Sequence, residues 1–194
     1  MGRPSNRLER RAEILRAFAR VLADHGYAGA TMGAVAAEAG VAAGLLHHHF
    51  ENKQEMLEAL LQDLLVRFRA RVKVYDEREH PLIAYVDGAL KLDGQAGVLA
   101  AKCWVGVFAE AVRNPHLFRK ARSLIDTEMG AIRRRSGGRI SDGDAGAILA
   151  FIVGALVVGA FAPKKTAGFA APALRRFLRA FDLSLGPDHI HGVE

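Results

Sequence analysis

The stretch TMGAVAAEAGVAAGLLHHHFENKQEML, residues 31–57, decides the fold of this chain. It begins with Thr31, whose side chain can cap a short helix. The apolar face of that helix consists of Val35, Ala36 and Ala39. Gly40 ends it, because a residue without a Cβ readily takes the left-handed conformation found at helix ends. A second short helix is predicted from Ala43 to Phe50. Two helices joined so closely match a helix-turn-helix, whose second helix enters the DNA major groove.

Longer helices are predicted on both sides of this motif. Residues 7–25 show helical periodicity and are followed by Gly26. After the motif, Asn52 and Glu55 form a capping pair at the start of a helix that runs from residue 53 to about residue 75. A helix of this length spans roughly 35 Å, because each residue adds about 1.5 Å. It is therefore suited to joining a DNA-binding head to a separate body.

The remainder of the chain is also predicted to be helical, because no run of alternating β-branched residues indicates a strand. Helices are predicted at 82–93, 95–113, 115–135, 143–162 and 172–185, with a loop at 163–171. A charged segment that ends in Pro81 marks a domain boundary. The predicted fold is all-α, with a helix-turn-helix head at 1–52, a linking helix at 53–75 and a larger helical body at 76–194.

The charge of the chain favours an anionic partner. Its 194 residues carry a formal net charge of +6. Residues 1–20 contain six arginines and two glutamates. The arginines from Arg10 onward are best explained as the solvated face of a helix. Arg3 and Arg7 precede the helix on an arm, where a contact to a phosphate or to the minor groove is as plausible as solvation.

Two features bear on the compartment. Cys103 is the only cysteine, so no intrachain disulfide can form, and a reducing cytoplasm is expected. Residues 145–162 form an apolar run without charge, which reaches the lower length limit for crossing a bilayer. Gly and Ala fill so many of these positions that its hydrophobicity is modest. A helix buried between subunits is the favoured interpretation and no membrane partner is expected, with a membrane-anchored helical sensor as the alternative.

The spacing of the motif resembles the DNA-binding head of the TetR family of transcriptional regulators. The matching positions are Thr31, Val35-Ala36, Ala39-Gly40-Val41, Gly44, Phe50, Asn52-Lys53 and Met56-Leu57. The resemblance implies a homodimer that binds a double-stranded DNA operator. It further implies a repressor released by a small-molecule effector, with an activator of the same fold as the alternative. The segment KCWVGVFAEAVRNPHLFRK, residues 102–120, is similar to choline-responsive repressors of that family.

The resemblance also indicates which residues contact DNA. They are Thr31, His47, His48 and Lys53. The surface of the second helix adds Ala42, Ala43, Gly44 and Leu45 as predicted DNA contacts, and the arm adds Arg3 and Arg7. Ala42 stands where the family usually has Ser, so the second helix lacks a good N-cap. Residues 42–45 offer few hydrogen-bonding groups, so modest direct readout of bases is expected. Lys53 lies in the first turn of the long helix, where a cation opposes the helix dipole, and an anionic partner explains it better than helix stability does.

The three consecutive histidines are not predicted to bind a metal. Consecutive side chains on a helix diverge by about 100°, so His47, His48 and His49 cannot close on one ion. His49 is expected to be partly buried beside Phe50. The sequence shows no phosphate loop and no catalytic constellation. No metal, no cofactor and no enzymatic activity are therefore predicted.

Two sets of residues in the body are assigned to effector binding and to dimerisation. The effector set contains aromatic and soft side chains: Phe68, Tyr85, Cys103, Trp104, Val107, Phe108, Phe118, Met129 and Phe151. A plain core remains the alternative for this set, although Trp104 and Tyr85 could hold a quaternary ammonium group by cation–π attraction. The dimer set follows small-residue and apolar stripes: Gly146, Ala150, Gly154, Ala155, Gly159, Leu174, Phe177, Leu178 and Phe181. Intrachain packing remains the alternative for part of each stripe.

Overall fold

The computed structural model describes the backbone of residues 4–77, 80–91, 94–166 and 170–184. Side chains are described for residues 7–77, 80–91, 94–164 and 170–180. Throughout these ranges the regular structure is helical and contains no strand, which confirms the all-α prediction.

The helices follow one another as α1 Pro4–Gly29, α2 Met32–Ala39, α3 Ala43–His49, α4 Lys53–Asp76, α5 Pro81–Leu90, α6 Gly94–Ala111, α7 Pro115–Arg135, α8 Asp142–Phe161, α9 Pro163–Thr166 and α10 Ala170–Ser184. Two differences from the predicted bounds have a physical reason. Gly26 has φ 68°, so it kinks α1, but the chain resumes helical structure to Gly29. The short helix α9 lies in the segment predicted as a loop, because Pro163 has the fixed φ that suits the first position of a helix.

The head is built around the apolar faces of α1, α2 and α3. Ile14 and Phe18 of α1 are fully buried, as are Val35 of α2 and Leu46 of α3. Met56, at the start of α4, completes the same cluster. Full burial of a side chain of this size contributes about 1.5–3 kcal/mol. The position of α3 is therefore determined by its buried face.

The long helix α4 belongs to both parts of the molecule. Its first half packs in the head, whereas Phe68 and Val72 belong to a second cluster with Tyr85 of α5. Gly88 of α5 lies so close to α4 that a Cβ added there would stand 2.5 Å from a methyl carbon of Val72. A glycine is thus required where α4 and α5 cross.

The core of the head continues into α6. Cys103, Trp104 and Val107 are buried in the same cluster as Phe18. At the crossing of α1 and α6, a Cβ added to Gly106 would lie 3.2 Å from Leu22. Because α1 and α6 pack so closely, they form one continuous core across the boundary between head and body.

A buried ion pair connects α10 to α5 within the body. The Asp87 side chain on α5 has no exposed surface and accepts two hydrogen bonds from the Arg175 guanidinium on α10, one of 2.8 Å from Nε. The Lys91 ammonium lies 2.8 Å from the same carboxylate. Carboxylates are rarely buried without such partners. This contact therefore holds α10 against α5.

The apolar helix α8 begins at a capping box formed by Ser141 and Asp144. Within the described residues it is the single helix whose length and hydropathy would suffice to cross a bilayer. The same criterion is met by core helices of soluble proteins. Only 17% of its most apolar window is fully buried in this chain. Much of the helix is half-buried against its neighbours, and the exposed positions of its second half are Gly154, Val157, Val158 and Phe161.

Candidate nucleic-acid interface and ligand cavities

The helix-turn-helix is formed by local hydrogen bonds. The Thr31 side chain accepts a 3.1 Å hydrogen bond from the Ala34 N–H and caps α2. Gly40 ends α2 in the left-handed conformation, with φ 64°. Ala42 precedes α3 and makes no side-chain capping bond, as its missing hydroxyl predicts. The turn therefore forms as the sequence indicates, with the expected weak start of α3.

The outward face of α3 is the surface predicted to contact DNA. Ala43, Gly44, Leu45, His47 and His48 are exposed, whereas Leu46 and His49 are buried. A Cβ added to Gly44 would meet no atom within 4 Å, so this face is open. The structure thus brings five of the predicted residues together on one surface.

Arg11 of α1 fastens the end of α3. Its guanidinium donates to the carbonyl oxygen of His49 and forms a 2.8 Å ion pair with Glu55. It also lies 3.8 Å from the centre of the Phe50 ring. The hydrogen bond from Arg11 holds the pKa of Glu55 below its usual range, helped by the Glu51 N–H. Sequence analysis missed this role, because only the fold brings Arg11 to the carbonyl end of α3.

The start of α4 is also held by side chains. Asn52 accepts a 2.9 Å hydrogen bond from the Glu55 N–H, as the predicted capping pair requires. The Lys53 ammonium donates a 2.7 Å hydrogen bond to the Tyr27 carbonyl oxygen and lies 4.1 Å from the centre of the Tyr27 ring. Lys53 therefore has an acceptor within the head, an explanation that the sequence did not offer beside the anionic partner. An ammonium group has three N–H donors, so a phosphate contact stays a prediction.

The arginine arm is only partly described. Arg3 lies outside the described residues. Arg7 is exposed but lies within α1, which begins at Pro4, so the prediction that it precedes the helix is wrong. The pyrrolidine ring of Pro4 suits the first turn of a helix, where no N–H is needed.

The histidines at the end of α3 have different environments. His47 and His48 are exposed, and His49 is buried with an Nδ1 that has no hydrogen-bond partner in the described part of the chain. Burial lowers the pKa of His49, and the neighbouring His48 and Arg7 lower it further. Among the described residues, no group of three or more His, Cys, Asp or Glu side chains is placed to hold a metal.

Four of the predicted effector residues surround one cavity in the body. Phe68, Tyr85, Trp104 and Phe108 line it, together with the buried carboxylate of Glu128 on α7. The rings of Phe68 and Tyr85 meet edge to face, and those of Trp104 and Phe108 are stacked. The cavity measures only about 70 Å³, which is less than the several hundred typical of ligand sites. These aromatics are therefore packed largely as core.

The remaining predicted effector residues do not line this cavity. Phe118 is 52% exposed on the outer face of α7. Cys103 is buried against α1, where its thiol donates to the Ala19 carbonyl oxygen, and burial raises the pKa of that thiol to about 12. Val107 belongs to the buried cluster of the head, the one that contains Phe18. Met129 and Phe151 pack against the buried cluster of the body, the one that contains Tyr85. Helical periodicity identified apolar faces but could not identify which neighbour each face meets.

Glu128 is a polar residue of the cavity that sequence analysis missed. It accepts a 2.8 Å hydrogen bond from the Tyr85 hydroxyl and lies 3.9 Å from Arg69. Burial and the Glu128 carboxylate raise the pKa of Tyr85 far above its ordinary value. Nothing in the local sequence distinguishes Glu128 from a solvated helix residue.

The predicted dimer residues face in two directions. Ala150, Gly154 and Phe177 are exposed. Leu174 is only 5% exposed and packs with the buried residues of the body, so its apolar side chain is accounted for by an intrachain contact. Gly146 faces Met129, whose methyl carbon would lie 3.5 Å from an added Cβ, so it too has an intrachain contact.

The other members of the dimer set are placed less simply. Ala155 and Gly159 border an open cavity of about 870 Å³ between α8, α6 and α10. Leu178 is half-buried against the body cluster. The Phe181 side chain lies outside the described side chains. Exposed Val157, Val158 and Phe161 were not predicted, yet they extend the apolar surface of α8.

The fold and this surface define a class, namely all-α helix-turn-helix regulators. Residues 14–60 match the family model described as bacterial regulatory proteins, tetR family. The chain is 31% identical over 135 residues to the HTH-type transcriptional regulator BetI of Cronobacter sakazakii, covering 64% of this chain and 66% of that protein. The chain thus matches just under two thirds of that relative's length. It belongs to the TetR family.

Solved structures show the same fold over a longer range. A transcriptional regulator from Rhodococcus sp. Rha1 superposes with a TM-score of 0.73 at 24% identity, covering 91% of this chain and 94% of that one. A transcriptional regulator from Saccharomonospora viridis in complex with choline superposes with a TM-score of 0.67 at 24% identity, covering 88% and 96%. The body described above therefore has the architecture seen in these regulators.

Proposed function

We propose that this protein is a dimeric, cytoplasmic, DNA-binding repressor that a small-molecule effector releases from its operator. The observation that carries the proposal is the outward face of α3. It is exposed from Ala43 to His48 except for the buried anchor Leu46, and Arg11 fastens its end. A helix held by one face and open on the other is the form in which a helix-turn-helix enters the major groove.

The residues proposed to contact DNA include Thr31, His47, His48 and Lys53, together with Arg3 and Arg7 near the beginning of the sequence. Ala42, Ala43, Gly44 and Leu45 supply close approach and apolar contact. An exposed Leu or Ala can touch a thymine methyl group. Because these side chains offer few hydrogen bonds, phosphate contacts and DNA shape carry much of the affinity.

Dimerisation is proposed through the exposed sides of α8 and α10. Val158 is 47% exposed, and Phe161 and Phe177 are 80% and 66% exposed. Monomeric soluble proteins rarely leave large contiguous apolar patches in water. A second copy of the chain would bury these side chains and place two α3 helices on successive half-sites of DNA.

The proposed effector is a small organic cation. The aromatic side chains of Tyr85, Trp104 and Phe108 line the cavity, and Glu128 adds a buried carboxylate. Such a set attracts an ammonium group by cation–π and Coulomb forces. The choline bound to the Saccharomonospora viridis regulator supports this class of ligand. Because the cavity is only about 70 Å³, side chains must move on binding, and α6 then transmits the displacement to α1.

The test is a fluorescence anisotropy titration of labelled DNA that flanks the protein's own gene. We expect tight, sequence-selective binding. The logarithm of the association constant should fall linearly with the logarithm of the salt concentration. Choline should weaken it, and Trp104→Phe, which keeps an aromatic side chain in the core, should bind DNA as the wild type does but respond less to choline. Binding that is equally strong to unrelated DNA would contradict the operator proposal. Unchanged DNA affinity in saturating choline would contradict the choice of effector.

A further inference from the structure

A second cavity lies where the head meets the body, and most of its wall comes from three helices. We call it the junction cavity. It measures about 420 Å³ and is lined by α1, α4 and α6, with Lys91 at the end of α5. Its volume is in the range of ligand sites. The cavity lined by Phe68, Tyr85, Trp104 and Phe108, which we call the aromatic cavity, is several times smaller. In this conformation the room for a ligand is therefore greater at the junction than among the aromatics.

The walls of the junction cavity combine apolar and basic groups. Apolar side chains come from all three helices, and they include Leu15, Leu60, Leu64 and Leu99. The charged residues are Arg16, Arg20, Arg67, Arg71 and Lys91, with Asp63 as the one acid among the described lining residues. A concave site that is lined by one sign of charge raises the local concentration of the opposite ion.

Several of these cations already have partners. Arg20 pairs with Glu38 of α2. Arg67 pairs with Asp63 at 2.8 Å, and Lys91 pairs with Asp87. These pairs reduce the positive charge of the cavity but do not remove it.

Two arginines lack a carboxylate partner among the described residues. Arg71 is half-buried, and its Nε donates a 2.9 Å hydrogen bond to the Gly88 carbonyl oxygen. Burial lowers the pKa of Arg71, and the nearby Arg67 lowers it further. Arg16 is exposed on α1 and lines the cavity. A guanidinium carries five N–H donors in a planar fork that suits carboxylate and phosphate groups, so donors remain at both positions.

We propose that the junction cavity binds a small organic anion, whose carboxylate or phosphate group is held by Arg16 and Arg71 and whose apolar part packs on the leucines. Such an occupant contacts α1 of the head, α6 of the body and α4, which belongs to both, at once. It therefore restricts the orientation of the head relative to the body. If the protein regulates transcription as proposed above, the anion modulates operator affinity from a site separate from the aromatic cavity.

The experiment is isothermal titration calorimetry of the full-length protein with three probes of similar shape. Octanoate and n-octyl phosphate carry the two anionic groups, and octanamide is the neutral control. We expect both anions to bind and octanamide to bind at least about tenfold more weakly, because charge-assisted hydrogen bonds are the stronger ones. Equal affinity for octanamide, or no anion binding up to about 10 mM, would overturn the proposal.

Variants locate the site. Arg16→Gln and Arg71→Gln should each weaken octanoate binding about tenfold or more, whereas Arg122→Gln, at an exposed position on α7, should leave it unchanged. Arg71 also lines the aromatic cavity, so Arg16→Gln decides between the two sites. Because Arg16 is exposed, Arg16→Gln should fold normally even if Arg71→Gln does not, so it still tests the site. Wild-type affinity in Arg16→Gln would refute the site.

A DNA titration without anion separates this proposal from a simpler one. We expect Arg16→Gln to bind operator as the wild type does. A loss of operator affinity in that variant would mean that Arg16 contacts DNA, and the anion site would be rejected. Because the calorimetry contains no DNA, its result does not depend on whether operator binding is found.

Discussion

The head and the body of this molecule are stabilised by different kinds of polar contact. In the head, side chains cap helices a few residues away, as Thr31 and Asn52 do. In the body, polar contacts join distant parts of the chain, such as Asp87 with Arg175 and Tyr85 with Glu128. The turn of the helix-turn-helix and the helix starts beside it can therefore form from local interactions, whereas the polar contacts of the body depend on the arrangement of whole helices.

The largest expected effect tests the long-range contact of the body. Asp87→Ala should lower the free energy of unfolding by about 3–5 kcal/mol, because it leaves the Arg175 and Lys91 charges without their buried carboxylate. Urea denaturation followed by circular dichroism measures it. Asp63→Ala is the matched control, because the Arg67–Asp63 pair is partly exposed and contributes about 0–1 kcal/mol. Equal losses in both variants would contradict the importance of the buried pair.

The next effect tests the anchor of α3. Leu46→Ala should lower the free energy of unfolding by about 2–5 kcal/mol, because the side chain is fully buried. It should also weaken DNA binding, because α3 loses its fixed position. The neighbouring Leu45→Ala removes the same atoms from a site that is 41% exposed, and its stability should change little. If Leu45→Ala were the more destabilising of the two, α3 would be packed the other way round.

A smaller effect tests a long-range contact of the head, the one that Arg11 makes with the end of α3. Arg11→Ala should cost about 1–2 kcal/mol, because it removes a hydrogen bond to the end of α3 and a partly exposed ion pair with Glu55. Arg10→Ala, which loses only an exposed pair with Glu13, should cost about 0.5 kcal/mol or less. The midpoints of urea unfolding of the two variants give the comparison. Indistinguishable midpoints would show that Arg11 does not stabilise the end of α3.

The Arg11–Glu55 contact should also depend on pH. Arg11 depresses the pKa of Glu55 in the folded chain, so the pair stabilises the head above the pKa of an unfolded glutamate, about 4.3. That contribution is lost as the pH falls through the lower, folded pKa. The stability difference between wild type and Arg11→Ala should therefore be largest near neutral pH and shrink towards about pH 3. A difference that grew on acidification would have the wrong sign.

The smallest expected effect is a gain. Ala42→Ser supplies the hydroxyl acceptor that α3 lacks, and should stabilise the chain by about 0.5–1 kcal/mol. Asn52→Ala is the opposite change at the start of α4 and should cost about as much. Thermal unfolding of both variants measures the pair. A loss of stability in Ala42→Ser would show that the start of α3 does not admit a side-chain cap.

The same contrast explains how much could be predicted from sequence. The helix-turn-helix was predictable because Thr31, Gly40 and Asn52 act on neighbours within a few residues. The cavities were not, because Glu128 and Arg71 acquire their roles only when α4, α5 and α7 pack together. Arg7 was misplaced for a related reason, since a helix start depends on the fixed φ of Pro4 as well as on apolar periodicity.

The central claim is that the outward face of α3 meets DNA, and Gly44→Glu tests it most directly. Gly44 is exposed in open space, so a glutamate there adds a negative charge without strain. Anisotropy with operator DNA should show a loss of affinity of at least about 100-fold, because the carboxylate faces phosphates. Gly143→Glu adds the same charge to the exposed start of α8 and should bind normally. Wild-type affinity in Gly44→Glu, with unchanged thermal stability, would contradict the account.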